Sequence, residues 1–290
     1  MIISLVQTSQ NRRKELKRFV DSLNAQKNVS YNQIQLIFVD QENNRDIFDS
    51  LNKDIEFTYI QSNHCSLSHA RNLAIPFVKG KYIAFPDDDC WYEPDTLYKA
   101  IMSMTQNKWD GVTGKGLNER DIPTGKFLDH IERQIITKMV YAPSYVLFFK
   151  FNDKVLFDEN IGIGSPFNLG AGEETDYLLN LIERYNYKVF FEPSLIIHHP
   201  ILHESKNNKD LLKKAHSYAR GDGYLLQKHN FPFSYRIKLF LRPLGGIFIH
   251  ALMLKSFNTR KSFCLLRGRI EGSLYKLKID INQLGGGNLD

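Results

Sequence analysis

The sequence predicts an α/β protein built on a mainly parallel, doubly wound sheet, with a helical and basic C-terminal extension. Three observations predict it. Short apolar runs of strand length alternate with segments of helical period through residues 1–114, an alternation that packs best as parallel strands covered by helices. Acidic residues stand where several of these runs stop, and in such a sheet ligands bind at the carboxyl ends of the strands. Finally, the texture changes at about residue 204, where Lys and Arg become interleaved with aromatic and aliphatic residues.

Taken in order, Ile2–Val6 reads as a strand, and Leu16, Phe19, Val20 and Leu23 then recur at helical spacing. Gln35–Val39 is a second strand that ends at Asp40, and Phe57–Ile60 a short third. Ala70, Leu73, Ala74 and Phe77 mark a helix that Pro76 should bend or shorten. Tyr82–Phe85, bounded by Gly80 and Pro86, is a buried strand that stops at Asp87-Asp88-Asp89. A helix with Leu97, Ala100, Ile101 and Met104 and a strand near Asp110–Thr113 follow. Residues 115–170 are less regular, with a strand at Tyr145–Phe149 and a Gly-rich loop, Gly162–Pro166. A helix begins at Glu173 with Leu178, Leu181, Ile182 and Tyr185 as its expected buried stripe, and strand Ser194–Ile197 leads into His198-His199. Residues 1–203 thus form one domain, with halves at 1–114 and 115–203, and residues 204–290 a helical extension with apolar and basic faces.

At 290 residues and 42% hydrophobic, the chain can bury one large core with a smaller appendage. Its formal charge of +6 is uneven. Residues 1–200 hold 22 Lys+Arg and 26 Asp+Glu, a net −4, whereas residues 201–290 hold 16 and 6, a net +10. The charge of the extension suggests an anionic partner, a membrane surface ahead of nucleic acid, the plain alternative being that its apolar faces only pack against the main domain. Three scattered cysteines, Cys65, Cys90 and Cys264, make no disulfide framework or zinc spacing and fit a reducing cytosol. Met1–Val6 lacks the basic leader of a signal peptide, and no apolar stretch approaches the length of a membrane span.

The chemistry concentrates in two acidic clusters. Three carboxylates at one strand end repel each other unless a cation sits among them, and hard oxygen ligands of this kind suit Mg²⁺ or Mn²⁺. The plain alternative is a solvated acidic turn leading into the helix at Pro94-Asp95-Thr96. The second cluster, Gly172-Glu173-Glu174-Thr175-Asp176, followed by His198-His199, tips the reading toward a site. The alternative for that cluster is stabilisation of the helix N-terminus by Glu173 and Asp176.

In order and spacing, these segments resemble the glycosyltransferase family 2 domain, a metal-dependent, typically inverting transferase with the GT-A fold. The resemblance covers residues 1–200 and rests on Asn11-Arg12, Val39-Asp40, Ser68-His69-Ala70-Arg71-Asn72, Phe85-Pro86-Asp87-Asp88-Asp89, Gly170 through Asp176, and a late His before Pro200. It implies that Asp87 and Asp89 are the outer residues of an Asp-x-Asp motif, with Asp89 a direct ligand of Mn²⁺ or Mg²⁺ and Asp87 and Asp88 near the ribose and diphosphate of the donor. It also implies that Asp40 accepts the imide N–H of uracil, that Arg71 binds donor phosphate or base, and that Thr8 and Arg12 lie in the donor site. The base that deprotonates the acceptor falls at Glu174, where many relatives carry Asp, with Asp176 the neighbouring candidate and Glu173 on the acceptor side. Six residues after Pro193, His199 takes the place of a metal-binding histidine, with His198 second to it.

The function so implied is transfer of a hexose or N-acetylhexosamine from a nucleotide-sugar donor, UDP-linked, to a glycan or lipid-linked oligosaccharide. The setting is bacterial capsule, exopolysaccharide or lipopolysaccharide assembly, in the cytoplasm and peripheral to the inner face of the membrane. Two rivals fit less well. A sugar-nucleotide nucleotidyltransferase opens with a Gly-rich loop, and Gln7–Asn11 has no glycine; a silent glycan-binding subunit would be expected to have lost one acidic cluster, and both are intact.

Overall fold

A computed structural model describes residues 1–10, 12–125, 127, 134–135, 142–200, 207–229 and 231–275. Asn11, the expected domain boundary at 203/204 and the last residues of the extension lie outside them. The chain divides into two compact units, Met1–Asn207 and Asn208–Asp290.

The first unit runs β1 (Ile3–Ser9), α1 (Arg13–Asn24), β2 (Ile34–Asp40), β3 (Glu56–Gln61), α2 (Leu67–Ala74), β4 (Tyr82–Ala84), β5 (Trp91–Tyr92), α3 (Thr96–Gln106), β6 (Gly111–Leu117), β7 (Gln134–Ile135), β8 (Leu147–Lys150), α4 (Glu173–Tyr185) and β9 (Val189–His198). The strands form one sheet in the order β3-β2-β1-β4-β8-β6-β9-β5, with β7 also pairing β9. From β3 to β4 every pairing is parallel, as the βα alternation requires. Beyond β4 the sheet is mixed. Strand β8 runs antiparallel to both β4 and β6, β9 is parallel to β6, and β5 and β7 are antiparallel to β9. The mainly parallel expectation thus holds for the first half. In the second, antiparallel pairings of β8, β5 and β7 break the parallel order.

Local chemistry sets the element ends. In β1 and β2 every residue is buried, because both faces are covered. Helix α1 turns Leu16, Phe19, Val20 and Leu23 onto the core. Pro76 does shorten its helix: α2 stops at Ala74 and the chain continues as one 3₁₀ turn, Ile75–Phe77. Helix α4 starts from Gly172 at φ +105°, where a side chain would be strained, and carries Glu173, Glu174 and Asp176 in its first turn. Two apolar clusters fill the two faces of the sheet. One is centred on Leu5, Leu36, Phe38 and Phe148, the other on Val6, Ile37, Phe85, Phe149 and Tyr177.

The second unit is helical: α5 (Asn208–Lys228), α6 (Phe233–Leu252) and α7 (Ser256–Ser273). Helices α5 and α7 approach so closely that a Cβ at Gly272 would lie 2.0 Å from the Arg220 carbonyl oxygen. Arg269 joins the three helices, bonding Asp222 of α5 and the Leu239 carbonyl of α6. Among the described residues no helix is long and apolar enough to cross a membrane.

Candidate active site

Strand β4 lies between β1 and β8, and the carboxylates that follow it meet Ser9 of β1, Ser144 just before β8 and His199 just after β9. Asp87, Asp89 and His199 each bring one ligand atom to a common point, all within 4.8 Å of one another. His199 Nε2 stands 3.0 Å from Asp89 Oδ1 and 4.0 Å from Asp87 Oδ2. Its other ring nitrogen, Nδ1, donates to the Pro200 carbonyl at 2.8 Å, and the ring stacks on Tyr145 at 4.5 Å between centroids. That second bond fixes the tautomer that leaves Nε2 as an acceptor facing the carboxylates. Two carboxylates and an oriented imidazole are a donor set that a divalent cation fits. The nitrogen ligand suits Mn²⁺ better than Mg²⁺, which prefers all-oxygen surroundings.

The electrostatics match. Burial opposes the charged form of Asp89, but the bond and charge of His199, with Arg12, hold its carboxyl below the usual range. Burial likewise disfavours the His199 imidazolium, yet Asp89 and then Asp87 raise its pKa above the ordinary value. Asp88 turns away from the cluster. It accepts from Ser9 Oγ at 2.8 Å, lies 3.6 Å from Arg12 Nε, and burial pushes it up to about 6. Arg12 also pairs with Asp89, so it spans both carboxylates at the N-terminus of α1. Thr8 lies buried near the carboxyl end of β1, beside Val39 of β2.

His198 takes no part in the cluster. Alternation along β9 sends it to the other face, where it stacks on Trp91 at 5.1 Å and reaches Glu93 at 3.4 Å. The Arg18 guanidinium also lies over the Trp91 ring, 3.6 Å from its centroid.

Two residues expected at the donor, Arg71 and Asp40, make contacts within the protein. Arg71 is 2% exposed and points inward, donating from Nη2 to Asp87 Oδ1 at 3.2 Å and to Ser144 Oγ at 2.8 Å. Ser144 Oγ in turn donates to the same Asp87 oxygen at 2.7 Å. Arg71 Nη1 stands 3.8 Å from Glu173 Oε1, so the guanidinium ties the first acidic cluster to the second. Asp40 is fully buried, and its two oxygens accept from Glu42 N, Asn44 N, Asn44 Nδ2 and Tyr59 Oη at 2.6–3.0 Å. Asp40 therefore folds the loop after β2, with the Tyr59 hydroxyl shared between it and Gln61 Oε1.

In the second cluster the residues separate by exposure. Asp176 is fully buried, with Asn180 Nδ2 donating to it at 3.1 Å inside α4, which removes it from reach of an acceptor. Glu174 is half-buried, and burial together with the charge of Glu173 pushes its carboxyl well above the usual range. Glu173 is buried under the 162 loop, its Oε2 without a hydrogen-bond partner, as is Arg71 Nη1. Ser9, Ser144 and Tyr145 escaped the sequence reading. Each is a common residue that only the strand order carries to the carboxylates.

A model of the family described as Glycosyl transferase family 2 matches residues 4–168. The Escherichia coli protein UDP-Glc:alpha-D-GlcNAc-diphosphoundecaprenol beta-1,3-glucosyltransferase WfaP is 33% identical over 110 residues, 37% of this chain and 43% of that protein, so the match spans less than half of that relative. Among solved structures, S. aureus TarS 1-349 in complex with UDP-GlcNAc aligns at a TM-score of 0.55 and 14% identity over 93% of this chain and 91% of that one. Mannosyltransferase PcManGT from Pyrobaculum calidifontis, in complex with GDP-Man and Mn²⁺, aligns at 0.63 and 10% identity over 94% and 87%. At such identities these two structures carry the fold alone.

Proposed function

Because the chain belongs to glycosyl transferase family 2, we propose that it moves a sugar from a UDP-linked donor to a lipid-linked saccharide at the inner membrane face, with inversion, in the assembly of a bacterial surface polysaccharide. The observation that carries this reading is the convergence of Asp87, Asp89 and His199 within 4.8 Å at the carboxyl edge of the sheet. The acceptor class follows the diphosphoundecaprenol-linked sugar in the name of the Escherichia coli relative.

In this reading Asp89, Asp87 and His199 hold a divalent ion, which when bound supplies positive charge against the diphosphate. Arg12 and Asp88 lie where the donor's diphosphate and ribose come in, with Thr8 behind them. Arg71 and Asp40 serve the donor at one remove, by fixing Asp87 and the loop after β2. Glu174 accepts the proton of the acceptor hydroxyl. The freed oxygen pair attacks the anomeric carbon from the face opposite the diphosphate, the bond from that carbon to the β-phosphate oxygen breaks, and UDP leaves. Burial and the neighbouring Glu173 charge raise its pKa, which makes the ionised carboxylate a stronger base for this step. Glu173 and the 162 loop flank the acceptor.

A turnover screen of UDP-, GDP- and dTDP-sugars with Mn²⁺, using a prenyl-diphosphate-linked sugar as acceptor, tests the reading. UDP-sugar consumption with an inverted product is expected. Inertness toward every UDP-sugar overturns it.

A further inference from the structure

We infer that α6 and the turn after it form a docking surface for an anionic lipid bilayer. Along α6, Phe233, Ile237, Leu241, Leu244, Phe248 and Leu252 are all exposed. Their spacing of three and four residues puts them on one continuous stripe of the helix. The stripe runs into the turn, where Leu252 and Leu254 are 85% and 91% exposed. Leu254 adopts φ +54°, a conformation that a helix end normally assigns to Gly or Asn. Folding alone gives no reason to hold a leucine out at that position.

Charge selects the occupant. From Phe233 through Ile270 the chain has eight Lys and Arg and no Asp or Glu. Three of these cations serve the unit itself: Arg236 donates to the Leu226 carbonyl, Arg267 to Glu271, and Arg269 to Asp222 and the Leu239 carbonyl. Lys238 and Arg242 are exposed along the edge of the stripe, and Lys255, Arg260 and Lys261 follow the turn. An apolar stripe edged by cations matches a bilayer, whose acyl boundary takes the first and whose anionic headgroups take the second. A second copy of the chain matches it poorly. Pairing α6 with itself would set Lys238 and Arg242 against their equivalents with no acidic side chain on either helix to answer them. The inference rests on the proposed function only in that a lipid-linked acceptor makes such docking useful.

Full-length protein is sedimented with vesicles of phosphatidylcholine alone or mixed with phosphatidylglycerol, at low and high salt. Binding is expected with the mixed vesicles and should weaken with salt. Lys238→Gln with Arg242→Gln should lower the partition coefficient by roughly 25-fold, about fivefold per cation. Leu252→Ser with Leu254→Ser should lower it by at least about tenfold. Both double variants should keep UDP-sugar hydrolysis, which reads the first unit alone. Absence of binding at low salt overturns the inference. So does binding that neither double variant weakens, or a dimer in light scattering that Leu252→Ser with Leu254→Ser dissolves. Vesicle binding by a protein inert toward every sugar nucleotide would sink the enzyme reading and leave the docking surface standing.

Discussion

His199 Nε2 lies 3.0 Å from Asp89 Oδ1, joining the last residue before Pro200 to the end of the Asp87–Asp89 run. Each perturbs the other: Asp89 is held below the usual carboxylate range and His199 above the usual imidazole value. The Asp89 contribution to stability is present above its unfolded pKa and fades as pH falls through the lower folded value. The His199 contribution is present below its unfolded pKa and fades as pH rises through the higher folded value. In metal-free protein the pair is therefore most stabilising between roughly pH 4 and 6.5. Divalent ions need neutral His199, so the Tm gain from Mn²⁺ should grow as pH rises through its raised pKa. His199→Ala should flatten that dependence, and Asp89→Ala should cost about a thousandfold in turnover. An Mn²⁺ effect on Tm that is independent of pH would remove His199 from the ligand set.

The second prediction separates two carboxylates two residues apart. Glu174 is half-buried with a raised pKa, whereas Asp176 is fully buried against Asn180. Glu174→Gln keeps shape and hydrogen bonding but cannot take a proton, so transfer should fall by at least about a hundredfold with donor affinity unchanged. Asp176→Asn should instead lower Tm while turnover persists. A dead, fully folded Asp176→Asn enzyme beside an active Glu174→Gln would reverse the assignment.

Arg71 carries the third. Its guanidinium contacts Asp87 and Ser144 and stands near Glu173 from a site that is 2% exposed. Removing one partner of a buried ion pair leaves the others uncompensated, so Arg71→Ala should cost about 3 kcal/mol or more in denaturant unfolding. Arg71→Lys keeps the charge but cannot span three partners with one ammonium, and should fall between wild type and Arg71→Ala. A wild-type unfolding midpoint for Arg71→Ala would mean that the guanidinium is exposed and free for substrate.

What could be read from the sequence, and what could not, follows from where each signal resides. The strands ending at Asp40 and Asp87 were legible because a short apolar run stopped by carboxylate is a local pattern. Helix α4 was legible from Glu173 because its apolar residues recur at helical period, although Tyr185, expected in the buried stripe, is exposed near the helix end. Strand β5 is only Trp91–Tyr92, too short for any period, and β9 begins at Val189, five residues before the strand expected from Ser194, because Glu192-Pro193 interrupts its apolar run. Alternation placed His198 and His199 on opposite faces, but which face meets Asp89 depends on the register that pairs His198 with Trp91 and Leu117. Ser144 reaches Asp87 across 57 residues because β8 inserts between β4 and β6, and nothing near Ser144 announces that order.

Asp40 carries the last prediction, and it turns on counting acceptors. As the last residue of β2 before an irregular loop, Asp40 looks from sequence like a ligand-binding carboxylate. The structure has Glu42 N, Asn44 N, Asn44 Nδ2 and Tyr59 Oη on its two oxygens, and the Asp40 bond helps push the Tyr59 hydroxyl, already raised by burial, to about 12. Asp40→Ala strands the Glu42 and Asn44 N–H groups and Asn44 Nδ2, each worth about 1–3 kcal/mol when left unpaired in a buried site. The variant should therefore lose about 3 kcal/mol in chemical denaturation, with the loop after β2 the first segment to exchange its amides. Asp40→Asn, which keeps one acceptor oxygen, should lose less. Calorimetry of UDP binding then separates the roles: affinity and stability should fall together for Asp40→Ala. Tyr59→Phe, which removes one of the same bonds, should repeat both losses on a smaller scale. Lost UDP affinity at unchanged stability would return Asp40 to direct contact with the base.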